Sequence, residues 1–258
     1  MVLSFSPYRP FTPYCGAPPA PGALDHRWNL DPVLIIALLA AALAYLIQAR
    51  KDARRGVFLG GWMLTTLLLV SPLCALSVAL FSARVAQHML LATLAAPLIA
   101  WARPGFERPA LVPRPLLAAA LFAGALWFWH APGPYAATFR GPAVYWTMHL
   151  TLFGSAVWLW AALFEAAGER LGAGVAAIAL TSLQMGLLGA VITFAARPLY
   201  APHLLTTEAW GLSPLQDQQL GGVVMWIPAG TILAAGLAFA FAQAFRRAEV
   251  RALRRALP

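Results

Sequence analysis

The chain has 258 residues, of which 61% are hydrophobic and only 10% carry a charge, and its mean hydropathy is +0.71. A water-soluble domain carries about 25% charged residues, so this composition excludes an ordinary soluble domain and indicates long segments that face lipid. The net charge of +9 lies in short blocks between apolar runs, which is typical of membrane proteins and argues against nucleic-acid binding.

Residues 1–31 are rich in proline and lack the apolar stretch of a cleaved signal peptide. We therefore expect an outer N-terminal segment over residues 1–31, with the first span acting as the insertion signal. Asp31 as the cap and Pro32 at the first helical position mark the start of that span. A seven-helix transmembrane domain is predicted over residues 32–245, and a basic cytoplasmic tail over residues 246–258.

Seven apolar runs are long enough to cross a bilayer as helices, and they predict an all-α, polytopic integral membrane protein with seven transmembrane helices. None of the runs alternates as the strands of a membrane barrel do. The predicted helices are Pro32–Gln48, Val57–Leu76, Arg84–Trp101, Leu116–His130, Ala143–Phe164, Gly172–Ala196 and Gln218–Phe245.

The basic residues predict the orientation of these helices, because cytoplasmic loops carry an excess of Lys and Arg. One side of the seven-helix topology has only Arg9, Arg27, Arg84, Arg140 and Arg197. The other side has Arg50, Lys51, Arg54, Arg55, Arg103, Arg108, Arg114, Arg170, Arg246, Arg247, Arg251, Arg254 and Arg255. This bias predicts a bacterial cytoplasmic (inner) membrane protein with its N-terminus outside and its C-terminus in the cytoplasm.

The histidines all fall on the outer side in this topology. His88 and His149 lie about one turn inside the third and fifth helices, so they share a depth. His130 ends the fourth helix, whereas His26 and His203 are predicted to be ordinary loop residues. Neutral imidazole is the commonest metal ligand, so His88, His149 and His130 are candidate ligands.

Other polar and sulfur-containing side chains are predicted at the same level. Met148 and Met225 are further candidate ligands, because histidine with thioether suits copper and thioether selects Cu(I). The supporting polar layer comprises Arg84, Gln87, Tyr145, Asp217, Gln218 and Gln219. Polar groups inside a membrane are costly, so a shared layer indicates a functional site.

Structural explanations stay open for each of these residues. Interfacial His and Tyr are common belt residues, and Gln or Asp at a helix start is often a cap. Arg84 and Asp217 could form an ion pair between the third and seventh helices. Cys15 and Cys74 both fall on the outer side, where an oxidising compartment permits a disulfide; the alternative is a free Cys15 and a packed Cys74.

Several segments spread over nearly the whole chain carry a family resemblance. They are YCGAPPAPG with RWNLDPVL (Tyr14–Leu34), SPLCALSVALFSARVAQHMLL (Ser71–Leu91), WHAPGPY (Trp129–Tyr135), LGAVITFAARPLY (Leu188–Tyr200) and DQQLGGVVMWIPAG (Asp217–Gly230). On these segments the chain resembles the multi-span CtaG-type cytochrome c oxidase assembly factors. The resemblance implies a seven-helix fold and a role in maturing a haem–copper oxidase, linked to copper supply.

The chain departs from the family pattern at some positions. Arg84 stands where some members have a second histidine, and Tyr145 and Met148 stand where some have His and Glu. A site that needs four imidazoles therefore does not match this chain. A sparser site that uses His88, His149 and other nearby ligands stays open.

The leading hypothesis is a non-catalytic membrane assembly factor that binds copper transiently, or binds cytochrome c oxidase subunits, at the outer face. The chain has no phosphate-binding glycine-rich loop and no HExxH motif that would indicate an enzyme. One alternative is a haem-binding redox protein, because two histidines at one depth could ligate haem. Another is a copper or ion transporter, although the inner half of the spans offers few polar residues for a path.

Overall fold

The computed structural model describes residues 12–49, 53–102 and 114–256, and this part of the chain is helical, without a β-strand. Residues 1–11 of the predicted N-terminal segment and 257–258 of the predicted tail lie outside the described residues, as do Arg50, Lys51, Arg103 and Arg108. The helices are α1 (Pro32–Gln48), α2 (Arg55–Val70), α3 (Leu73–Ala79), α4 (Phe81–Leu90), α5 (Ala96–Trp101), α6 (Pro115–His130), α7 (Pro132–Ala137), α8 (Pro142–Glu169), α9 (Leu171–Thr193) and α10 (Pro214–Ala256).

Three stretches of the described residues are long and apolar enough to cross a membrane: Phe81–Trp101, Pro142–Ala166 and Leu171–Thr193. A fourth candidate arises if α2 and α3, which meet at 48°, form one span. The apolar helices α1 and α6 are shorter. The chain is therefore a helical membrane protein, whereas the number of seven spans stays a prediction.

Helix α1 begins where the sequence predicts, because the Asp31 carboxylate accepts a hydrogen bond from the Val33 N–H at 2.9 Å. Only Leu34, Leu38 and Tyr45 of α1 are buried. Five of its apolar side chains are more than half exposed, namely Val33, Ile36, Leu39, Leu43 and Ile47. An uncovered apolar face of this kind suits contact with lipid.

The second and third predicted helices are interrupted differently from the prediction. The expected single helix Val57–Leu76 is two helices, since Pro72 begins a new turn after an extended Ser71. A second break at Leu80 lets α4 start at Phe81, three residues before the predicted Arg84. The buried start of α4 then presents backbone N–H groups that need acceptors within the protein.

A π-helical turn, Leu91–Ala95, joins α4 to α5 in front of Pro97. Proline lacks an N–H and crowds the preceding turn, which explains the wider winding there. The Trp160 indole N–H of α8 donates to the Ala92 carbonyl at 2.8 Å, so a carbonyl in this turn gains a partner. The interrupted helix is thus tied to α8, which carries His149.

Glycines allow α9 and α10 to pack closely. A side chain at Gly189 would meet the Trp226 backbone nitrogen and the Gly222 carbonyl oxygen, and one at Gly222 would meet the backbone of Gly189 and Thr193. Gly189 and Gly222 therefore stand where the backbones of α9 and α10 approach each other. α10 continues as one helix to Ala256, through the residues predicted as a tail.

Candidate functional site

Three histidines from three different helices meet inside the bundle. His88 comes from α4, His130 from the last position of α6, and His149 from the second turn of α8. The His88 ring centroid lies 5.1 Å from that of His149 and 6.2 Å from that of His130. All three side chains are at most 5% exposed. The predicted juxtaposition of these histidines is therefore present in the structure.

The hydrogen bonds of the rings determine which nitrogens are available. His130 Nδ1 lies 2.8 Å from the Leu126 carbonyl oxygen, and His149 Nδ1 lies 3.1 Å from that of Tyr145. Because a carbonyl only accepts, each Nδ1 carries the hydrogen and each Nε2 presents a lone pair. His149 Nε2 is buried without a partner, and so are both ring nitrogens of His88.

Imidazoles that donate through one nitrogen to a backbone carbonyl and leave the other unpaired have the usual orientation of metal ligands. Two imidazoles that share an ion at about 2 Å from each nitrogen place their ring centroids about 5–6 Å apart. The 5.1 Å spacing of His88 and His149 falls in this range, and the 6.2 Å spacing of His88 and His130 lies just above it. Within the described residues, however, no three His, Cys, Asp or Glu side chains form a closed ligand set.

Two cavities adjoin the histidines. A void of about 10 Å³ is lined by His88, His149 and apolar side chains that include Met89 and Leu126. That volume suits one water molecule or one ion. A larger apolar cavity of about 340 Å³ lies between α1, α2 and α8, and His149 lines this one too. His149 therefore separates a small inner void from a wide space beside α1.

Arg84 lies one turn before His88 and is only 3% exposed. Its guanidinium carbon is 4.4 Å from the Phe139 ring centroid, 5.1 Å from that of Tyr135 and 5.7 Å from that of Tyr145. Cation–π attraction of this kind stabilises a charge that has left water. The aromatic cage, meaning Tyr135, Phe139 and Tyr145, replaces the predicted ion pair between Arg84 and Asp217.

Asp217 instead caps a helix. Its carboxylate accepts hydrogen bonds from the Phe81 N–H, the Ser82 N–H and the Ser82 hydroxyl at the start of α4. A negative charge at a helix N-terminus is favourable, and here it satisfies donors that would otherwise be buried unpaired. The structural explanation of Asp217 as a cap therefore holds, although the helix it caps is α4 rather than its own.

The glutamines of the predicted polar layer hold the fold together. Gln218 accepts from the Leu199 N–H and donates to the carbonyls of Ile192 and Arg197, which fixes the loop between α9 and α10. Gln87 donates to the Leu68 carbonyl of α2. Gln219 is half-buried and takes part in none of these contacts. The layer is thus mainly structural, and the three histidines stand apart from it.

The predicted sulfur ligands are both fully buried. Met148 and Met225 have 0% exposure and belong to the largest hydrophobic cluster of the described residues. Methionine in such a cluster commonly fills gaps between helices, and its thioether also suits soft metals. Their role as copper ligands stays a prediction.

The N-terminal segment is fastened beside the histidines. The structure joins Cys15 to Cys74 by a disulfide with a Cα–Cα distance of 5.5 Å. Tyr14 stacks on Tyr145 at 4.8 Å between centroids, and Tyr145 in turn lies 4.2 Å from the His149 ring. The Tyr14 hydroxyl donates to Asp31, and burial together with that bond raises the pKa of Tyr14 to about 12. The rings of Tyr14 and Tyr145 thus cover His149.

His203 is not the ordinary loop residue that the sequence suggests. It is 2% exposed, its Nδ1 lies 3.2 Å from the Ala79 carbonyl oxygen, and its Nε2 accepts from the Tyr135 hydroxyl at 2.6 Å. Burial, and the nearby charge of Arg84, lower its pKa to about 3. His203 therefore joins the loop after α9 to α3 and α7.

Comparison with known proteins connects this site to a family. The sequence model of the family described as cytochrome c oxidase caa3 assembly factor (Caa3_CtaG) matches residues 37–247. The match contains α2 to α9, most of α1 and α10, and all three clustered histidines. Searches among curated proteins and among solved structures gave no match.

Proposed function

The chain belongs to the cytochrome c oxidase caa3 assembly factor family, and from this membership we propose that it helps to deliver copper to a haem–copper oxidase at the outer face of the membrane. It acts as a non-catalytic carrier: the ion is cargo, bound by His88 and His149, with His130 as a further candidate ligand, and released to an oxidase subunit. Met148 and Met225 are further candidate ligands in this proposal.

One observation carries the proposal above all others. His88 has no hydrogen-bond partner on either buried ring nitrogen, beside a second buried imidazole whose Nε2 is also unpartnered. An unpaired buried polar atom costs about 1–3 kcal/mol, so a fold that retains three of them at one place has a use for them. Neutral imidazole nitrogens bind copper well. An incomplete ligand set suits a carrier that must release its ion.

The proposal includes a topology. The three clear spans, the bent pair α2–α3, the shorter helices α1 and α6, and the first part of α10 together make seven crossings. The excess of Lys and Arg on one side places the N-terminus outside a bacterial cytoplasmic membrane. In this orientation the histidines and the Cys15–Cys74 disulfide lie toward the outer compartment, which is oxidising enough for a disulfide.

The alternative hypotheses have less support. A haem between His88 and His149 would need a flat macrocycle where the rings are 5.1 Å apart and the void measures about 10 Å³. A transporter would need polar residues through both leaflets, and the buried polar groups cluster near the histidines instead. Transient binding of one ion at one end of the bundle fits the arrangement better.

The experiment that tests the proposal combines gene deletion with single substitutions. Membranes of the deletion strain should lose cytochrome c oxidase activity, and added copper should restore part of it. His88→Ala and His149→Ala should reproduce this loss at normal protein abundance, since each removes an imidazole but no hydrogen bond between side chains. His26→Ala is the matched control, because His26 is exposed and lies in the N-terminal segment.

Normal oxidase activity in both His88→Ala and His149→Ala membranes would remove the histidines from the function. Loss of activity that copper does not relieve would leave an assembly role but exclude copper supply. Reduced-minus-oxidised spectra of the same membranes identify which oxidase haems are affected.

A further inference from the structure

Arg84 is a buried cation whose charge has no anionic partner among the described residues. The Asp217 carboxylate of α10 accepts hydrogen bonds from Phe81 and Ser82 at the start of α4 rather than from Arg84. The Arg84 Nε is buried without a hydrogen-bond partner, and the rings of the aromatic cage surround the guanidinium. Aromatic rings hold a cation in place without cancelling its charge. Arg84 therefore keeps its positive charge beside the histidines, although the Asp217 carboxylate at the start of α4 offsets part of it.

The histidine site lies within reach of that charge. Arg84 and His88 are four residues apart on one helix, which puts their Cβ atoms about 6 Å apart. The Arg84 guanidinium carbon also lies 5.7 Å from the Tyr145 ring centroid, which in turn lies 4.2 Å from that of His149. The imidazoles and thioethers proposed as ligands are neutral, so no ligand charge offsets the repulsion between Arg84 and a bound cation.

The cost of this repulsion depends on the charge of the ion. Coulomb energy is proportional to each charge, so a divalent ion at the same place suffers twice the penalty of a monovalent one. At about 8 Å and an effective dielectric constant of about 20, one unit of charge changes the binding constant by on the order of tenfold or more. Arg84 therefore weakens the binding of every cation and weakens that of divalent ions most.

We propose that Arg84 is a specificity-determining residue that makes the histidine site favour soft monovalent cations of the Cu(I) class over divalent ions. The inference rests on the proposed function, because it assumes that an ion binds at the histidines. It assigns Arg84 a role in ion choice rather than in ligation. It also explains why a metal carrier would keep a buried cation without a salt bridge one turn from its ligands.

The test measures the affinity of the purified full-length protein, in lipid nanodiscs, for Ag(I) and Zn(II). Ag(I) is a redox-inert stand-in for Cu(I), and Zn(II) is the divalent probe. Arg84→Gln removes the charge, and Arg84→Lys is the matched control that keeps it. If Arg84→Gln raises the Ag(I) affinity by a factor f, it should raise the Zn(II) affinity by about f squared. Arg84→Lys should leave the ratio of the two affinities near that of the parent protein.

A second variant protects the test against misfolding of Arg84→Gln. Phe139 is half-buried, and its ring centroid lies 4.4 Å from the guanidinium carbon, so Phe139→Glu brings a carboxylate to the charge. This variant keeps Arg84 and should also favour Zn(II) more than Ag(I). A purely structural Arg84 would instead change both affinities by one factor.

Each outcome has a defined meaning. Equal gains for the two ions in Arg84→Gln and Phe139→Glu, or no gain in either variant, would overturn the inference while leaving metal binding intact. Absence of Ag(I) binding that depends on His88 and His149 in the parent protein would overturn the proposed function, and the inference with it. A gain for Zn(II) that exceeds the gain for Ag(I) supports both.

Discussion

His88 and His203 are both buried, yet they differ completely in hydrogen bonding. His203 has partners on both nitrogens, from Ala79 and Tyr135, whereas His88 has none. Burial alone therefore does not separate a structural histidine from a candidate ligand. The pairing of each ring nitrogen does, because an unpaired buried nitrogen is costly unless something binds it.

His203 makes the stability of the protein depend on pH. Its pKa falls from an ordinary value near 6.5 to about 3 in the folded protein, so the unfolded chain binds the extra proton. The contribution of the neutral His203 ring to stability should be fully present above pH 6.5 and should decline as the pH falls toward 3. We expect the His203→Asn protein to be less stable than the parent protein at pH 7.5. Between pH 6 and 4, its free energy of unfolding should fall by up to about 1.4 kcal/mol less per pH unit than that of the parent.

Thermal unfolding in detergent across this pH range measures the difference. Subtracting the two curves isolates His203, since the other titrating groups are common to both proteins. Parallel curves would show that His203 protonation does not contribute to acid sensitivity.

At the level of residues, the sequence predicted a shared depth for His88 and His149, with His130 at the outer end of its helix, because the topology gives the depth of each residue. It could not predict the aromatic cage of Arg84. Tyr135 and Phe139 come from α7 and the turn after it, a region that the sequence presents as a Pro-rich loop. Nor could it predict the pairing of Tyr135 with His203, which depends on how two loops fold back over the helices.

At the level of elements, the crossing of α9 and α10 depends on glycine. A Cβ at Gly222 would collide with the backbone of both Gly189 and Thr193, and backbone cannot move aside as a side chain can. We expect Gly222→Ala to destabilise the protein by about 1–3 kcal/mol, the usual cost of overpacking. Gly186→Ala is the matched control, because its Cβ would make only ordinary contacts of 3.6 Å with Trp226.

The melting temperatures of the two purified variants in detergent test this prediction. If Gly222→Ala melts at the same temperature as Gly186→Ala, the close crossing is not needed for the fold.

The helices were more predictable than their interruptions. The start of α1 followed from Asp31 and Pro32, and apolar length indicated every long helix. The break at Leu80 had no sequence signal, since apolar residues surround it and the compensating cap, Asp217, is 137 residues further along the chain. Local patterns cannot show that a distant carboxylate will stabilise a helix start.

At the scale of the whole molecule, the Cys15–Cys74 disulfide fastens the N-terminal segment to the bundle across 59 residues of sequence. A cross-link over a loop of this length contributes about 2–4 kcal/mol in typical proteins. We expect Cys15→Ser, Cys74→Ser and the double variant to lower stability by a similar amount, because either change removes the same bond. Thiol labelling of the parent protein should require prior reduction.

The double variant is the internal control for this prediction. If it is much less stable than either single variant, the cysteines act separately rather than as a pair. Ready labelling of the unreduced parent protein would likewise contradict a disulfide.

The length of α10 has a mechanical consequence. Its 43 residues measure about 65 Å at 1.5 Å per residue, while the hydrocarbon core of a bilayer is only about 30 Å thick. One end is anchored near the histidines, where Asp217 and Gln218 bind α4 and the preceding loop. In the proposed seven-helix topology, the other end therefore extends beyond the bilayer on the side opposite the histidines. A tilt of a few degrees at the anchored end becomes a displacement of several ångströms at the far end of a helix this long.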